Sequence, residues 1–235
     1  MSGTEPELHY ELAGPEGGTP VVFTHGFLNT GDIWSEVVDE LDGSVRSLTW
    51  DLRAHGRSQA PAPGLYSRDH ALADLGRMLD VAGRPAILVG HSLGGYLSLA
   101  HTILSPDDVA GLVLVAAGPG FRSPDSREQW NDSVRIMTAQ ARGRGDDLAE
   151  GMEEISMHVD SMVMDRLTEI TAPVYTVVGE RDQQFQASAA VFDKNLDVKR
   201  RVQVPDAGHM VQVKHPAPVA EAIRYMVDLA SGSGS

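Results

Sequence analysis

Short apolar runs alternate along this chain with longer stretches whose apolar residues recur every three or four positions. The runs are Val21 to His25, "VRSLTW" ending before Asp51, "PAILVG" ending at Gly90, "VAGLVLVAA" from Val109, Pro173 to Gly179, and Arg200 to Val204. Continuous apolar runs of this kind suit strands covered on both faces. Glu7 to Leu12 alternates instead, and reads as a further strand before the turn-forming "AGPEGGTP". Between the runs lie helical faces: Ile33, Trp34, Val37, Val38 and Leu41; then Leu72, Leu75, Met78 and Leu79, capped by Ser67 or Asp69 and stopped at Gly83. "LGGYLSLAHTIL" follows, halted at Ser105-Pro106, and "APVAEAIRYMVDLA" closes the chain as an amphipathic helix.

Strand and helix in alternation specify an α/β fold, a mostly parallel twisted sheet flanked by helices. Phe121 to Ile170 breaks the rhythm: it is charged, methionine-rich and helical in pattern, with no convincing strand. The expected organisation is one discontinuous core domain, 1–118 and 170–230, with 119–169 inserted as a short helical lid over the carboxyl edge of the sheet, where ligands bind in such folds. Residues 231–235, "SGSGS", read as a flexible tail or cloning scar.

Composition narrows the function. The chain has 235 residues, room for one sizeable core, and no cysteine, so disulfides, thiolate catalysis and zinc–thiolate sites are excluded. A net charge of −14 argues against nucleic acid and anionic membranes as partners. No stretch is apolar enough to span a bilayer, and "MSGTEPELHY" has no apolar signal-peptide core, so the expectation is a cytoplasmic protein acting on a small molecule. A homodimer is compatible with the sequence.

The chemistry concentrates at "LVGHSLGGYL". The bland reading is a glycine-flanked turn in which Ser92 caps the next helix. The sharper one is a nucleophile elbow, because Gly-His-Ser-Leu-Gly lies between a predicted strand and a predicted helix. Such a turn strains its middle residue and crowds the positions two away, which therefore call for glycine. It lifts the Ser92 hydroxyl above the sheet and aims the Leu93 N–H, at a helix N-terminus, into the same space. A serine hydroxyl needs a base. Of the histidines, His9 and His101 lie within elements; His70, His158 and His215 sit in polar contexts; His25 orders its loop; His91 adjoins the elbow but points elsewhere. His209, in the loop "VPDAGHMVQ" after the last strand, reaches the edge where Ser92 emerges. Asp182, after the strand ending at Gly179, is the carboxylate that orients it, with Glu180 as the alternative; Asp206 serves the turn. The Phe27 N–H, in "THGFLNTG", joins that of Leu93 as the second oxyanion donor.

With these residues in place the chain resembles the α/β-hydrolase superfamily across about Glu7 to Leu229. The resemblance rests on His25-Gly26-Phe27, "DLRAHGRS", "GHSLGG", "GERD" and "AGHM", and is nearest to small esterases, cofactor-free haloperoxidases and carbon–carbon-bond hydrolases. It implies an α/β-hydrolase fold with a sheet of up to eight strands, a structural role for "DLRAHGRS", and a first antiparallel strand that is missing or minimal here.

The expected reaction is hydrolysis of a small to medium, largely apolar carboxylic ester through an acyl-enzyme, with no metal or organic cofactor. Leu28, Trp130, Met137, Met157 and Met210 are the candidate substrate-binding residues, with Met152, Met162, Met164 and Trp34 as further ones. A carbon–carbon-bond hydrolase, lactonase or perhydrolase with the same triad, and a ligand receptor without turnover, stay open as alternatives.

Overall fold

The apolar runs form strands β1 (Tyr10–Ala13), β2 (Val21–Thr24), β3 (Ser47–Trp50), β4 (Ala86–His91), β5 (Val109–Val115), β6 (Val174–Gly179) and β7 (Val198–Val204) in the computed structural model, which describes residues 5–232. Residues 1–4 and 233–235, the end of the expected tail among them, lie outside the described residues. The strands make one seven-stranded sheet in the order β1-β3-β2-β4-β5-β6-β7. All pairs are parallel except β1 against β3. The antiparallel strand is therefore present but minimal. It starts later than the alternation suggested, because Glu7 and His9 bond the loop after β3 instead of the sheet: His9 N–H donates to Ser58 Oγ at 2.9 Å and Glu7 N–H to Gln59 Oε1 at 3.1 Å.

The helices are α1 (Ser35–Glu40), α2 (Arg68–Ala82), α3 (Leu93–Leu104), α4 (Pro124–Gly143), α5 (Met162–Arg166), α6 (Gln183–Asn195), α7 (Val211–Lys214) and α8 (Pro216–Ala230). A 3-10 turn, Gly31–Trp34, precedes α1 and takes up the first residues of the helix expected from Ile33. Ser67, not Asp69, caps α2 by accepting the His70 N–H. Period-two alternation assigns the sheet's two faces. Along β4, Ala86 and Leu88 pack with residues of α2 and α3 in one core layer, while Ile87 and Val89 pack with residues of α1 and α8 in the other. All six β4 residues are buried, which is why its sequence is apolar from Ala86 to Val89.

Between β5 and β6 the chain inserts α4, a 3-10 turn at Met152–Ser156 and α5. The chain runs outward from β2 to β3, then returns across β2 to β4. The order thus reverses between β2 and β4, and ligands of such sheets bind outside the strand ends at that reversal. Among the described residues no helix is long and apolar enough to cross a membrane, and no group of three or more histidine or acidic side chains is arranged to hold a metal ion.

Candidate active site

Only Ser92 separates the end of β4 from the start of α3, so one residue must turn the chain. Its φ of 52° and ψ of −113° lie where a residue with a Cβ is strained. The turn is tight enough to dictate its neighbours. A Cβ on Gly90 would come within 2.4 Å of Gly95 N, one on Gly94 within 2.1 Å of Thr24 O, and one on Gly95 within 2.3 Å of the Ala117 Cβ. Ser92 occupies the N-cap of α3, yet its side chain makes no capping bond, whereas the Ser67 and Ser123 hydroxyls do cap their helices. The reading of Ser92 as a mere cap is thereby overturned: among the described residues its hydroxyl has no hydrogen-bond partner.

His209 Nδ1 meets Asp182 Oδ2 at 2.8 Å. Asp182 is nearly buried and the imidazole about one-third exposed. A carboxylate accepts, so Nδ1 carries the proton and Nε2 is left with its lone pair. Asp182 is also the N-cap of α6, but its carboxylate accepts no capping bond there. A residue suited to capping is thus held by the imidazole. Glu180 turns the other way, its Oε2 accepting the Asp206 N–H at 3.0 Å, and Asp206 pairs with Arg181. The His209 ring stacks on Phe185, centroids 4.9 Å apart.

Ser92 and His209 line the same cleft, together with Phe27, Leu28 and Asp182. They share no hydrogen bond in this structure; contacts of this kind often close only when substrate is bound. The Leu93 N–H is one of the orphan donors at the start of α3, and no main-chain turn bond takes up the Phe27 N–H.

Three further histidines surround this cleft. His25 Nδ1–H donates to Gly26 O at 2.7 Å and Nε2 accepts the Leu52 N–H at 2.9 Å, which ties the loop carrying Phe27 to the loop after β3. Burial first, and His55 second, push His25 down to about 3. His91, expected to point elsewhere, packs against His209 instead. Burial, then His209 itself, lowers it to about 3. His158 lines the inner cavity beside Ser92.

Behind Ser92 is an inner cavity of about 140 Å³, walled by Tyr96, Phe121, Trp130 and Phe185 and reached by Ser156 and His158. Of the residues expected to bind substrate, Leu28, Trp130 and Met137 line the outer cleft, and Trp130 lines the inner cavity too. Met157 and Met210 line neither. Met157 is the extended residue that ends the 3-10 turn Met152–Ser156. Met210 starts α7, its sulfur 4.0 Å from Gln212 Nε2. Met152 and Trp34 are buried in the core, the latter 5.4 Å from the Phe23 ring, and Met162 packs against the other core layer. Met164 lies outside both cavities, its carbonyl accepting from Arg122. Tyr96, Phe121, Phe185 and His158 were not singled out as pocket residues. Two of them stood close to a motif, Tyr96 within "LVGHSLGGYL" and Phe185 three residues after Asp182.

A sheet that reverses its order between β2 and β4, with a strained serine set at that reversal, defines the hydrolase class of α/β enzymes. The chain belongs to the alpha/beta hydrolase family, whose sequence pattern it matches over residues 21–222. It is 26% identical to a putative 2-succinyl-6-hydroxy-2,4-cyclohexadiene-1-carboxylate synthase of Bacillus subtilis, over 89% of this chain and 91% of that protein. Its fold is similar to that of an esterase from Exiguobacterium antarcticum (TM-score 0.80, 21% identity, 97% and 98% of the two chains). It is likewise similar to that of a bromoperoxidase from Bacillus anthracis (TM-score 0.77, 22% identity, 95% and 96%).

Proposed function

We propose that this enzyme is a serine hydrolase that cleaves a small, largely apolar carboxylic ester, with residues 119–169 as the lid over its site. The observation that carries the reading is the 2.8 Å contact of His209 with Asp182, in the cleft that also holds a strained, uncommitted serine. In this reading Ser92 Oγ attacks the ester carbonyl and His209 Nε2 takes its proton. The Phe27 and Leu93 N–H groups receive the oxyanion, at the positive end of α3. His209 then returns the proton to the departing alcohol. Water, activated by the same nitrogen, releases the acid and restores Ser92.

The inner cavity supports an apolar ester over the compound in the name of the Bacillus subtilis relative, which bears a succinyl group and a ring carboxylate. Two carboxylates call for arginine or lysine on the wall. Among the described residues none lines either cavity, and the nearby Arg68 is held bidentate by Asp160 at 2.7 and 2.9 Å.

Turnover of a series of short-chain 4-nitrophenyl esters tests the proposal, alongside labelling by a serine-reactive phosphonate. Wild type is expected to hydrolyse the esters and take up one label, and Ser92→Ala to do neither. Ester hydrolysis that survives in Ser92→Ala would overturn it.

A further inference from the structure

His158 stands on the cavity wall that Ser92 faces, anchored by its main chain. Its N–H donates to Asn131 Oδ1 at 2.8 Å, and Asn131 Nδ2 donates to its carbonyl at 3.2 Å. The ring is boxed by Tyr96, Phe121 and Trp130, with centroids at 4.5, 5.4 and 5.6 Å. Neither ring nitrogen makes a hydrogen bond among the described residues, although the residue is 8% exposed and Nδ1 is wholly buried.

The neighbouring polar groups are engaged elsewhere. Trp130 Nε1–H donates to Ser156 O at 2.8 Å, and the Tyr96 hydroxyl is 3.4 Å from Arg68 Nη1. The Ser156 hydroxyl is the exception, on the same wall and also without a partner. A phenylalanine at 158 would fill the same box with no polar atom to strand, so an imidazole with idle nitrogens is destabilising unless something meets it. Burial first, then Arg68, pushes His158 down to about 4. At neutral pH it is therefore uncharged, and Nε2, the ring nitrogen that is not wholly buried, can offer the cavity an N–H or a lone pair according to the tautomer. The cavity, about 140 Å³, is close to the roughly 150 Å³ of a cavity that takes a benzene ring.

We infer that His158 is the specificity-determining residue of this pocket, hydrogen-bonding a neutral polar substituent, a hydroxyl or a carbonyl, on a ring-sized acyl group. The inference rests on the reading of the inner cavity as the acyl pocket of an esterase. A site with a polar group waiting for its partner rejects the isostere that lacks it more sharply than an apolar pocket rejects an added methylene.

The test compares 4-nitrophenyl esters of phenylacetic acid with those of 3- and 4-hydroxyphenylacetic acid, in wild type, His158→Phe and His158→Gln. Wild type is expected to prefer at least one hydroxylated ester by about tenfold in kcat/KM. His158→Phe should bring that ratio near one, and His158→Gln should retain part of it. Equal kcat/KM across the wild-type series, or a preference that persists in His158→Phe, would overturn the inference. Should wild type cleave none of these esters, the esterase reading fails by itself. The calorimetric Kd ratio of 4-hydroxyphenylacetone to phenylacetone, in wild type and His158→Gln, then still reads the pocket: a ratio unmoved by the substitution overturns the role of His158.

Discussion

His91 donates its Nε2–H to the main-chain oxygen of His209, 3.1 Å away, and the two rings lie 4.7 Å apart. The residue beside the elbow serine thus holds the loop that carries the imidazole. Because burial keeps His91 neutral, its tautomer is set by that bond and Nδ1 stays bare. His91→Phe keeps a ring in place and removes the N–H. We expect kcat on a nitrophenyl ester to fall about tenfold, the worth of one hydrogen bond, with KM little changed. His91→Gln, which restores a donor, should recover part of the loss. Equal losses in the two variants would show that His91 only fills space.

Asp182 and Glu180 are two residues apart and have opposite orientations, so their neutral variants should separate cleanly. Asp182→Asn leaves the size of the side chain but lets the imidazole settle in the wrong tautomer, and kcat should drop by roughly 10⁴-fold without loss of the fold. Glu180→Gln touches only the Asp206 turn and should keep kcat within about twofold of wild type while changing stability by less than about 0.5 kcal/mol. Steady-state kinetics and a thermal melt on both variants check this. The reverse ranking would move the carboxylate role to Glu180.

The parts of the fold and site that were legible in the sequence share one property: their signal is local. Strands β2 to β6 are covered on both faces, so their residues are mainly apolar, with Ser47 and Thr49 of β3 the clearest interruptions. Ser92, Asp182 and His209 stand in glycine-punctuated loops at strand ends, and the glycines reflect close approaches such as that of Gly94 to Thr24. What escaped depends on contacts between distant segments. His91 and His209 are 118 positions apart and no pattern links them. His158 read as a polar-context histidine because the aromatic box around it comes from three separate segments. Helix α6 was missed because only Ala189 and Phe192 of its thirteen residues are buried, too few to mark a face. The methionines of the insertion misled in the opposite direction, since an apolar side chain suits a core as well as a pocket.

His25 makes the fold sensitive to acid. Its two nitrogens are spent as one donor, to Gly26 O, and one acceptor, from the Leu52 N–H, so a second ring proton would face an N–H. His25 and His91 lie at about 3 and His158 at about 4 in the folded protein, against an ordinary value of 6.5. Between those values the unfolded chain binds more protons than the folded one. Their stabilisation is therefore complete above about pH 7, and is lost as pH falls through 6.5 toward 3. At pH 5 the loss is about 2 kcal/mol for each fully buried histidine. Urea midpoints should be flat above pH 7 and fall steadily below 6.5. His25→Gln, which can still accept from Leu52, should show a shallower fall; an unchanged slope would remove His25 from the account.

Ser92 holds a backbone conformation that its own Cβ makes unfavourable, so removing the Cβ should stabilise the protein while abolishing its chemistry. Ser92→Ala and Ser92→Gly both lose the hydroxyl, but only glycine accepts φ near +52° without strain. Strain of this type is worth about 1–3 kcal/mol, and the extra freedom of glycine in the unfolded chain offsets about 0.5–1 kcal/mol of it. Ser92→Gly should therefore be more stable than Ser92→Ala by about 1 kcal/mol, or about 2–4 °C in Tm for a chain of this size. The neighbouring glycines demand the reverse: Gly94→Ala would drive a Cβ to 2.1 Å from Thr24 O, in backbone that two central strands hold fixed, and should prevent the elbow from forming. Denaturant unfolding of the three variants decides the matter. Equal stability of the Ala and Gly variants at position 92 would mean that the elbow positions its serine without storing strain.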